Sequence, residues 1–320
     1  MSDSDPQPLT AVKEASPLCL TAGCKVNLGL RITRVRPDGY HELDSLFLPL
    51  SEPSDLLELT VMEGAAPGIA VTCDAGILDP SDNTLTKAYT AFCQASAPPP
   101  PALHVRLHKG IPSGAGLGGG SSDAAALLRW LNAASPTPLA PDALARTALR
   151  VGADVPFFLQ DGPCRVRGIG EIIEPASVDL PGTSLLLVCP EERVSTPWAY
   201  RAYDALAAAN AGEVDGEDLT NAPMQAKGTA LSTMPDISTA ATACFRRCHA
   251  LAMRNDLEEA VARGYPVITA VRQALTRYGA WAVVMSGSGS AVVGLIAAGE
   301  AETARAALTG DGWRTYVQTL

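Results

Sequence analysis

A glycine-rich segment in the middle of the chain restricts the fold more than any other feature of the sequence. Five glycines fall within the seven residues 114–120, and five residues separate them from a preceding segment, 103–108, in which apolar and polar residues alternate. That alternation predicts a half-buried strand. The residues that follow, 121–132, are rich in alanine and leucine and predict a helix. A strand, a glycine loop and a helix in this order favour anion binding, because the first N–H groups of a helix have no partner within it.

The loop differs from two common phosphate-binding patterns. It is not a Walker A loop, since no Lys-Ser or Lys-Thr pair follows the last glycine, Gly120. The stretch Gly114-Ala-Gly-Leu-Gly-Gly overlaps the dinucleotide fingerprint but lacks a parallel βαβ repeat and a ribose-binding acid. A flexible glycine hinge is the alternative that these residues leave open.

The rest of the chain predicts a mixture of strands and helices, with hairpin-like strand pairs in the first half. This mixture is typical of the α+β class. The predicted strands cover 18–35, 56–62, 69–73, 103–108, 163–166, 170–173, 184–189, 281–285, 291–296 and 314–318. The predicted helices cover 84–94, 121–132, 141–151, 197–209, 238–253, 256–263, 266–278 and 300–309. We expect a disordered tail over 1–17, one domain over 18–175 and a second over 176–320, with a polar loop or linker after 209.

The charge balance excludes some partners. The chain has 24 Lys and Arg against 34 Asp and Glu, a net charge of −10, so phosphate backbones and anionic membranes repel it. The N-terminus lacks a basic and an apolar region, and Ser286-Gly-Ser-Gly-Ser290 interrupts the longest uncharged run, 281–299. We therefore expect a cytoplasmic protein that binds neither nucleic acid nor membrane.

The cysteine pattern indicates packing and not bridging. Eight cysteines are present without a CxxC pair, and most lie in apolar segments. In a cytosolic chain such residues are small buried hydrophobes. Cys244, Cys248 and His249 lie close in sequence, but a metal site would need a fourth ligand, so packing is the favoured interpretation there too.

Three segments together resemble the motifs of the GHMP kinase superfamily. The segment 111–125, Ile-Pro-Ser-Gly-Ala-Gly-Leu-Gly-Gly-Gly-Ser-Ser-Asp-Ala-Ala, is similar to its phosphate-binding motif. Cys24-Lys-Val-Asn-Leu28 is similar to the motif on its first strand, and Met285-Ser-Gly-Ser-Gly-Ser290 to its C-terminal glycine loop. The segments come in the expected order. The resemblance implies a two-domain α+β kinase: an N-terminal domain like ribosomal protein S5, a C-terminal ferredoxin-like α/β plait, and an active site in the cleft between them.

Further motifs narrow the resemblance to one branch of the superfamily. Lys25-Val-Asn27, Arg36-Pro-Asp-Gly-Tyr-His-Glu42 and Gly152-Ala-Asp-Val-Pro156 resemble the branch that phosphorylates a cytidyl diphosphate polyol. That branch moves the γ-phosphate of ATP to the 2-hydroxyl in the non-mevalonate route to isoprenoid precursors. The resemblance covers about residues 20–298. The departures are Gly23-Cys24 before the lysine, and Asp123 where asparagine is common.

The resemblance assigns the catalytic pair to Lys25 and Asp154. The carboxylate of Asp154, in the apolar segment 151–158, can accept a proton from a hydroxyl, and Lys25 can stabilise charge on the transferred group. A buried structural ion pair is the alternative for these two. The residues implied for substrate binding are Asn27, Tyr40, His41, Thr196 and Tyr200. An aromatic ring can stack on cytosine, and His41 can hydrogen-bond its edge.

The implied cofactors are ATP and Mg²⁺, although the metal ligands cannot be identified from the sequence. The residues expected to hold ATP are Lys109, Gly114, Gly116, Gly118, Gly119, Gly120, Ser121, Ser122, Gly287 and Ser288, and the Ser122 hydroxyl is a candidate to touch Mg²⁺. We expect a monomer or weak homodimer. Two alternatives remain: another GHMP kinase, for mevalonate, homoserine or a sugar, and a non-catalytic nucleotide-binding sensor on the same fold.

Overall fold

The computed structural model describes residues 17–76, 79, 83–212 and 253–320. The predicted tail before residue 17, the predicted helix up to residue 252 and the Cys244, Cys248 and His249 group lie outside the described residues. The chain divides into two compact units, each assembled from separate stretches of sequence. The first comprises 1–22, 54–110 and 120–159, and the second comprises 23–53, 111–119 and 160–320. The linear domain boundary at residue 175 stays a prediction.

The helices and strands follow the predicted order. The strands are β1 Leu18–Val35, β2 His41–Val61, β3 Ile69–Cys73, β4 Leu103–His108, β5 Cys164–Gly168, β6 Ile172–Pro175, β7 Thr183–Cys189, β8 Ala282–Met285, β9 Val292–Ala297 and β10 Arg314–Thr319. The α-helices are α1 Thr84–Ala95, α2 Gly119–Ala134, α3 Pro141–Val151, α4 Thr196–Gly212, α5 Glu258–Gly264, α6 Val267–Arg277 and α7 Ala301–Gly310. Short 3₁₀ turns cover Phe157–Leu159 and Ala298–Glu300.

The first unit packs helices against a small mixed sheet. In this unit β4 pairs in parallel with β3 and antiparallel with the second half of β2, with Leu57 opposite Leu107 and Leu59 opposite Val105. These apolar residues share one core with the inner faces of α1 and α2. Asn83 caps α1, since its side-chain oxygen accepts a hydrogen bond from the Thr86 amide at 2.9 Å.

The second unit is organised around an antiparallel sheet in the order β10-β7-β9-β8. Alternate residues of β7 enter two different cores: Leu185 and Leu187 pack towards β1 and β2, while Leu186 and Val188 pack towards the helices. Every residue of β7 is therefore buried. The chain order β7, α4–α6, β8, β9, α7, β10 with this sheet order is the ferredoxin-like βαββαβ arrangement.

The sequence prediction for β2 was wrong at its start. The strand begins at His41, and the prediction began at residue 56. Proline cannot donate a ladder hydrogen bond, so Pro49 and Pro53 weaken the strand signal of this segment. The apolar run Leu46-Phe47-Leu48 is buried on consecutive residues, so it shows no alternation.

Candidate active site

Lys25 lies on β1 in the second unit, with its side chain removed from solvent. Only 4% of it is exposed. Its ammonium Nζ lies 2.7 Å from Asn27 Oδ1 and 4.6 Å from the centroid of the Phe47 ring. The two residues face the same side because side chains two apart on a strand do. A buried ammonium held by an amide oxygen and an aromatic face is fixed in position.

Asn27 is the centre of a neutral hydrogen-bonded group, which we call the Asn27 relay: Asn27, Ser45 and Ser286. The Asn27 amide Nδ2 donates to Ser45 Oγ at 2.8 Å, and Ser45 Oγ donates to the Gly29 carbonyl at 2.5 Å. The backbone N–H of Asn27 donates to Ser286 Oγ at 3.1 Å. All three side chains are buried. The amide orientation that presents Oδ1 to Lys25 is thereby determined by its other partners.

The glycine loop packs against this relay inside the second unit. Gly114, Gly116 and Gly118 have φ angles of 72°, 75° and 74°, the left-handed region that glycine tolerates best. The Lys25 N–H donates to the Leu117 carbonyl at 3.0 Å. Ser286 Oγ donates to the Gly116 carbonyl at 3.4 Å. A Cβ on Gly116 would collide with the Ser286 carbonyl oxygen, so this loop cannot carry a side chain there.

The second glycine loop, 286–290, is held by Asn255. Its Nδ2 donates to the carbonyls of Met285 and Gly287 at 2.8 and 2.7 Å. Its Oδ1 accepts from the Leu257 N–H at 3.0 Å. Thr196 Oγ1 lies 2.9 Å from Ser288 Oγ, so two predicted site residues meet at this loop. Sequence reasoning missed Asn255, and no motif or spacing that we considered singled it out.

The segment 36–42 forms a tight turn between β1 and β2. Gly39 has a φ of 84°, and the Arg36 N–H donates to the Tyr40 carbonyl at 2.7 Å. Tyr40 is 61% exposed, whereas the His41 side chain is only 8% exposed. The His41 ring centroid lies 4.8 Å from that of Tyr200, so these two predicted substrate residues are in contact.

Helix α2 begins at Gly119, and its first turn contains Gly120, Ser121 and Ser122, which belong to the first unit. N–H groups in a first turn have no partner within the helix and carry partial positive charge. Ser122 is 4% exposed. The order of loop and helix predicted from the sequence is therefore present, and the binding roles of these residues stay predictions.

Lys109 belongs to a buried group of the first unit that we call the charged cluster: Asp55, Lys109 and Asp123. The ammonium forms an ion pair with Asp55 Oδ2 and lies 3.2 Å from Asp123 Oδ2. Asp55 Oδ1 also accepts from the Gly110 N–H at 2.8 Å. The two carboxylates are 0% and 2% exposed, and the lysine side chain is 16% exposed. The geometry thus gives Lys109 two internal partners that the sequence did not predict.

Burial shifts the ionisation of this cluster. It raises the pKa of the Asp123 carboxyl to about 8; Lys109 opposes the shift and Asp55 adds to it. Within the described residues, Asp123 Oδ1 has no hydrogen-bond partner. For Lys109, burial lowers the pKa, but Asp123 and Asp55 together outweigh it and the net direction is upward. Near neutral pH a protonated Asp123 leaves the ammonium facing the Asp55 carboxylate.

Asp154 lies in the first unit, in the turn that joins α3 to the 3₁₀ turn. The residue is half-buried, while its neighbour Val155 and nearby Phe157 are 0% and 2% exposed. Its apolar neighbours in the sequence are therefore buried, and the catalytic role of Asp154 stays a prediction.

Two kinds of feature are absent from the described ranges. Those ranges contain no group of three or more His, Cys, Asp or Glu side chains placed to hold a metal ion. None of their helices has the length and apolar character that a membrane span requires.

Comparison with known proteins places this geometry in a family. The model of the GHMP kinases N terminal domain matches residues 83–162, and that of the GHMP kinases C terminal matches residues 236–313. The 4-diphosphocytidyl-2-C-methyl-D-erythritol kinase of Nitratidesulfovibrio vulgaris is 46% identical over 305 residues, 94% of this chain and 98% of the relative. The corresponding enzyme of Lawsonia intracellularis is 40% identical over 86% of this chain and 87% of its own length.

Solved structures are similar to the chain as well, and one of them points to the same family. A 4-(cytidine 5'-diphospho)-2C-methyl-D-erythritol kinase matches with a TM-score of 0.69 and 32% identity, over 94% of this chain and 98% of that one. A homoserine kinase from Cytophaga hutchinsonii has a TM-score of 0.67 at 18% identity, which indicates a shared fold only. The chain belongs to the GHMP kinases and, within them, to the family of 4-diphosphocytidyl-2-C-methyl-D-erythritol kinases. The predicted α+β kinase fold is confirmed.

Proposed function

We propose that this protein transfers the γ-phosphate of ATP to the 2-hydroxyl of 4-diphosphocytidyl-2-C-methyl-D-erythritol, a step of non-mevalonate isoprenoid precursor synthesis. The observation that carries the proposal is the similarity to kinases named for this substrate, at 46% identity over 94% of the chain. The buried, precisely held ammonium of Lys25 supports it, because phosphoryl transfer depends chiefly on positioning and charge neutralisation.

Asp154 and Lys25 are the catalytic residues in this proposal. Asp154 accepts the proton of the substrate hydroxyl, as a positioned carboxylate can. Lys25 stabilises the negative charge of the group in transfer. Since the accepting hydroxyl is tertiary and hindered, alignment contributes more than basicity. Asn27 supplies alignment by holding Lys25.

The remaining residues bind the two substrates. Tyr40, His41 and Tyr200 take the cytidyl end, and Thr196 contributes a hydroxyl. The left-handed glycines of the first loop let the backbone turn tightly, which allows its N–H groups to approach phosphate closely. The groups proposed to hold ATP are Lys109, Gly114, Gly116, Gly118, Gly119, Gly120, Ser121, Ser122, Gly287 and Ser288.

We propose Mg²⁺ as the metal, with the Ser122 hydroxyl as its protein contact. When bound, Mg²⁺ neutralises charge on the phosphate oxygens. We also propose a cytoplasmic monomer or weak homodimer. The six cysteines of the described residues are all free thiols, which suits a reducing compartment.

The experiment that tests the function measures ADP release with ATP, Mg²⁺ and the cytidyl substrate. Wild type is compared with Asp154→Asn, which removes the proton acceptor, and with Asp142→Asn, an exposed carboxylate on α3. We expect turnover that requires the cytidyl group and falls by at least about 10²-fold in Asp154→Asn only.

Other results would redirect the assignment. Equal turnover on a polyol without the cytidyl group would keep the kinase and reject the substrate. Turnover on homoserine, mevalonate or a sugar alone would indicate another GHMP kinase. ATP binding without any turnover would indicate a nucleotide-binding sensor.

A further inference from the structure

Helix α4 surrounds the His41 ring with three of its side chains. Asp204 Oδ1 lies 2.7 Å from His41 Nε2. The Tyr200 ring contacts the imidazole in a tilted arrangement, with a centroid distance of 4.8 Å and an interplanar angle of 38°, and Tyr203 meets it edge-on at 6.2 Å and 78°. The three residues are spaced i, i+3 and i+4, which is the spacing of one helix face.

The Asp204 carboxylate determines the orientation of the His41 ring. An ionised Asp204 can only accept, so the hydrogen bond requires a proton on His41 Nε2. An imidazole bonded to a carboxylate at one nitrogen is held in both its tautomer and its rotation. Tyr203, on the same face of α4, is affected by burial as well. Burial is the largest cause of its raised pKa, and the charges of Asp256 and Asp204 add to it.

His41 directly follows Tyr40, at the end of the turn. The turn is closed internally, since the Gly39 N–H donates to the Arg36 carbonyl at 2.9 Å and the Tyr40 N–H to Asp38 Oδ1 at 3.1 Å. These bonds give the turn its shape, but they do not tie it to α4. The contact between His41 and Asp204, which are 163 positions apart in the sequence, links the turn to α4.

We propose that Asp204 is a positioning residue for cytidine recognition. By holding His41 against Tyr200, it places the exposed Tyr40 ring and the adjacent backbone where a cytidine diphosphate ligand meets them. No motif of the sequence singled out Asp204. The inference rests on the proposed function, because it assumes that this turn binds the cytidyl end of the substrate.

The test compares Asp204→Ala and Asp204→Asn with wild type, using steady-state kinetics and calorimetric titration with CDP. Glu302→Ala is the matched control, since it removes another exposed helix carboxylate of the second unit, paired with Arg305 at 2.7 Å. Thermal melting of each variant checks that it folds. We expect the KM for the cytidyl substrate and the Kd for CDP to rise about tenfold in Asp204→Ala.

The same inference predicts what does not change. In Asp204→Ala, kcat and the KM for ATP remain within about twofold of wild type, because the carboxylate only orients a binding group. Asp204→Asn keeps an amide oxygen that can accept from Nε2–H, so its loss is smaller, about threefold.

The outcomes separate the inference from the function on which it rests. If wild type turns over and Asp204→Ala behaves like Glu302→Ala, the positioning role is wrong and the function stands. A loss in Asp204→Ala that falls equally on kcat and on the KM for ATP would also overturn it. If wild type shows neither turnover nor CDP binding, the proposed function fails and the inference falls with it.

Discussion

The two compact units bury polar groups in opposite ways. In the first unit, the charged cluster holds two carboxylates and one ammonium, so its stability depends on the balance of charge. In the second unit, the Asn27 relay consists of an amide and two hydroxyls, so its stability depends on the placement of donors and acceptors. Removing one partner of a buried ion pair leaves an uncompensated charge in the interior and is strongly destabilising. Breaking a neutral hydrogen bond lowers the free energy of unfolding much less.

The difference shows which changes each region tolerates. The charged cluster responds to pH and to charge, because the pKa of Asp123 lies near neutrality. The relay contains no titratable side chain. Its stability therefore depends on the backbone conformation of the glycine loops that pack against it. The predictions below separate these two kinds of dependence.

The largest expected effect is on the charged cluster. Lys109→Met keeps much of the side-chain volume but leaves the buried Asp55 carboxylate without its cation, while Asp123 is protonated near neutral pH. We expect the free energy of unfolding to fall by about 3 kcal/mol, measured by urea denaturation at neutral pH. In the Lys109→Met/Asp55→Asn double variant, part of the loss should return, since no buried carboxylate is then left without a cation at neutral pH. A double variant no more stable than the single one would contradict this account.

The next effect breaks the relay through the backbone. Gly116→Ala places a Cβ in a left-handed residue and against the Ser286 carbonyl oxygen. We expect a loss of about 2 kcal/mol in the free energy of unfolding. Gly182→Ala is the control: its φ is 70°, but no atom lies within 4 Å of the added Cβ. It should cost only the conformational strain, about 1 kcal/mol. Equal losses in the two variants would show that the collision at Gly116 does not contribute.

The third prediction concerns the slope of the free energy of unfolding against pH. Its effect is smallest at acid pH. The folded-state pKa of Asp123, about 8, is above its unfolded value of 3.8. The folded state then binds more protons than the unfolded state, so the free energy of unfolding falls as pH rises from about 4 to about 8. Asp123→Asn cannot titrate. We expect it to match wild type at about pH 4 and below, and to become progressively more stable than wild type towards pH 8, in urea denaturation at a series of pH values.

A relay variant provides the contrast to this slope. Ser45→Ala removes a hydroxyl that both accepts from Asn27 Nδ2 and donates to the Gly29 carbonyl. It should lower the free energy of unfolding by about 1 kcal/mol at every pH, with a curve parallel to wild type. If the Ser45→Ala curve diverges from wild type with pH, or the Asp123→Asn curve does not, the division between the two regions is wrong.

Much of the local structure could be predicted from the sequence. Helix α3 has the predicted bounds, Pro141–Val151, because a proline in the first turn and a glycine after the last residue mark its ends. The glycines at 114, 116 and 118 were expected to turn the backbone tightly, and all three have left-handed φ angles. Motif order also identified the family, since each of the three motifs is a continuous segment.

The predictions failed where the determining contact is distant along the chain. The start of β2 was missed because its burial on both faces depends on neighbouring elements and leaves no period of two. Asp55 appears in the sequence as an ordinary acid of a polar segment, but it is 0% exposed, and its ion-pair partner is 54 positions away. Asn255 and Asp204 find their partners 30 and 163 positions away.

The sequence by itself determined the order of strands, loops and helices, the backbone conformation of the glycine loop, and the family, because each depends on residues that are neighbours in the chain. Only the tertiary structure decided which acids are buried, that Asp55 and Asp123 share Lys109, and that Asp204 holds His41. The physical reason is that burial and pairing are set by residues from separate elements, and their free energies depend on distances that no local pattern encodes.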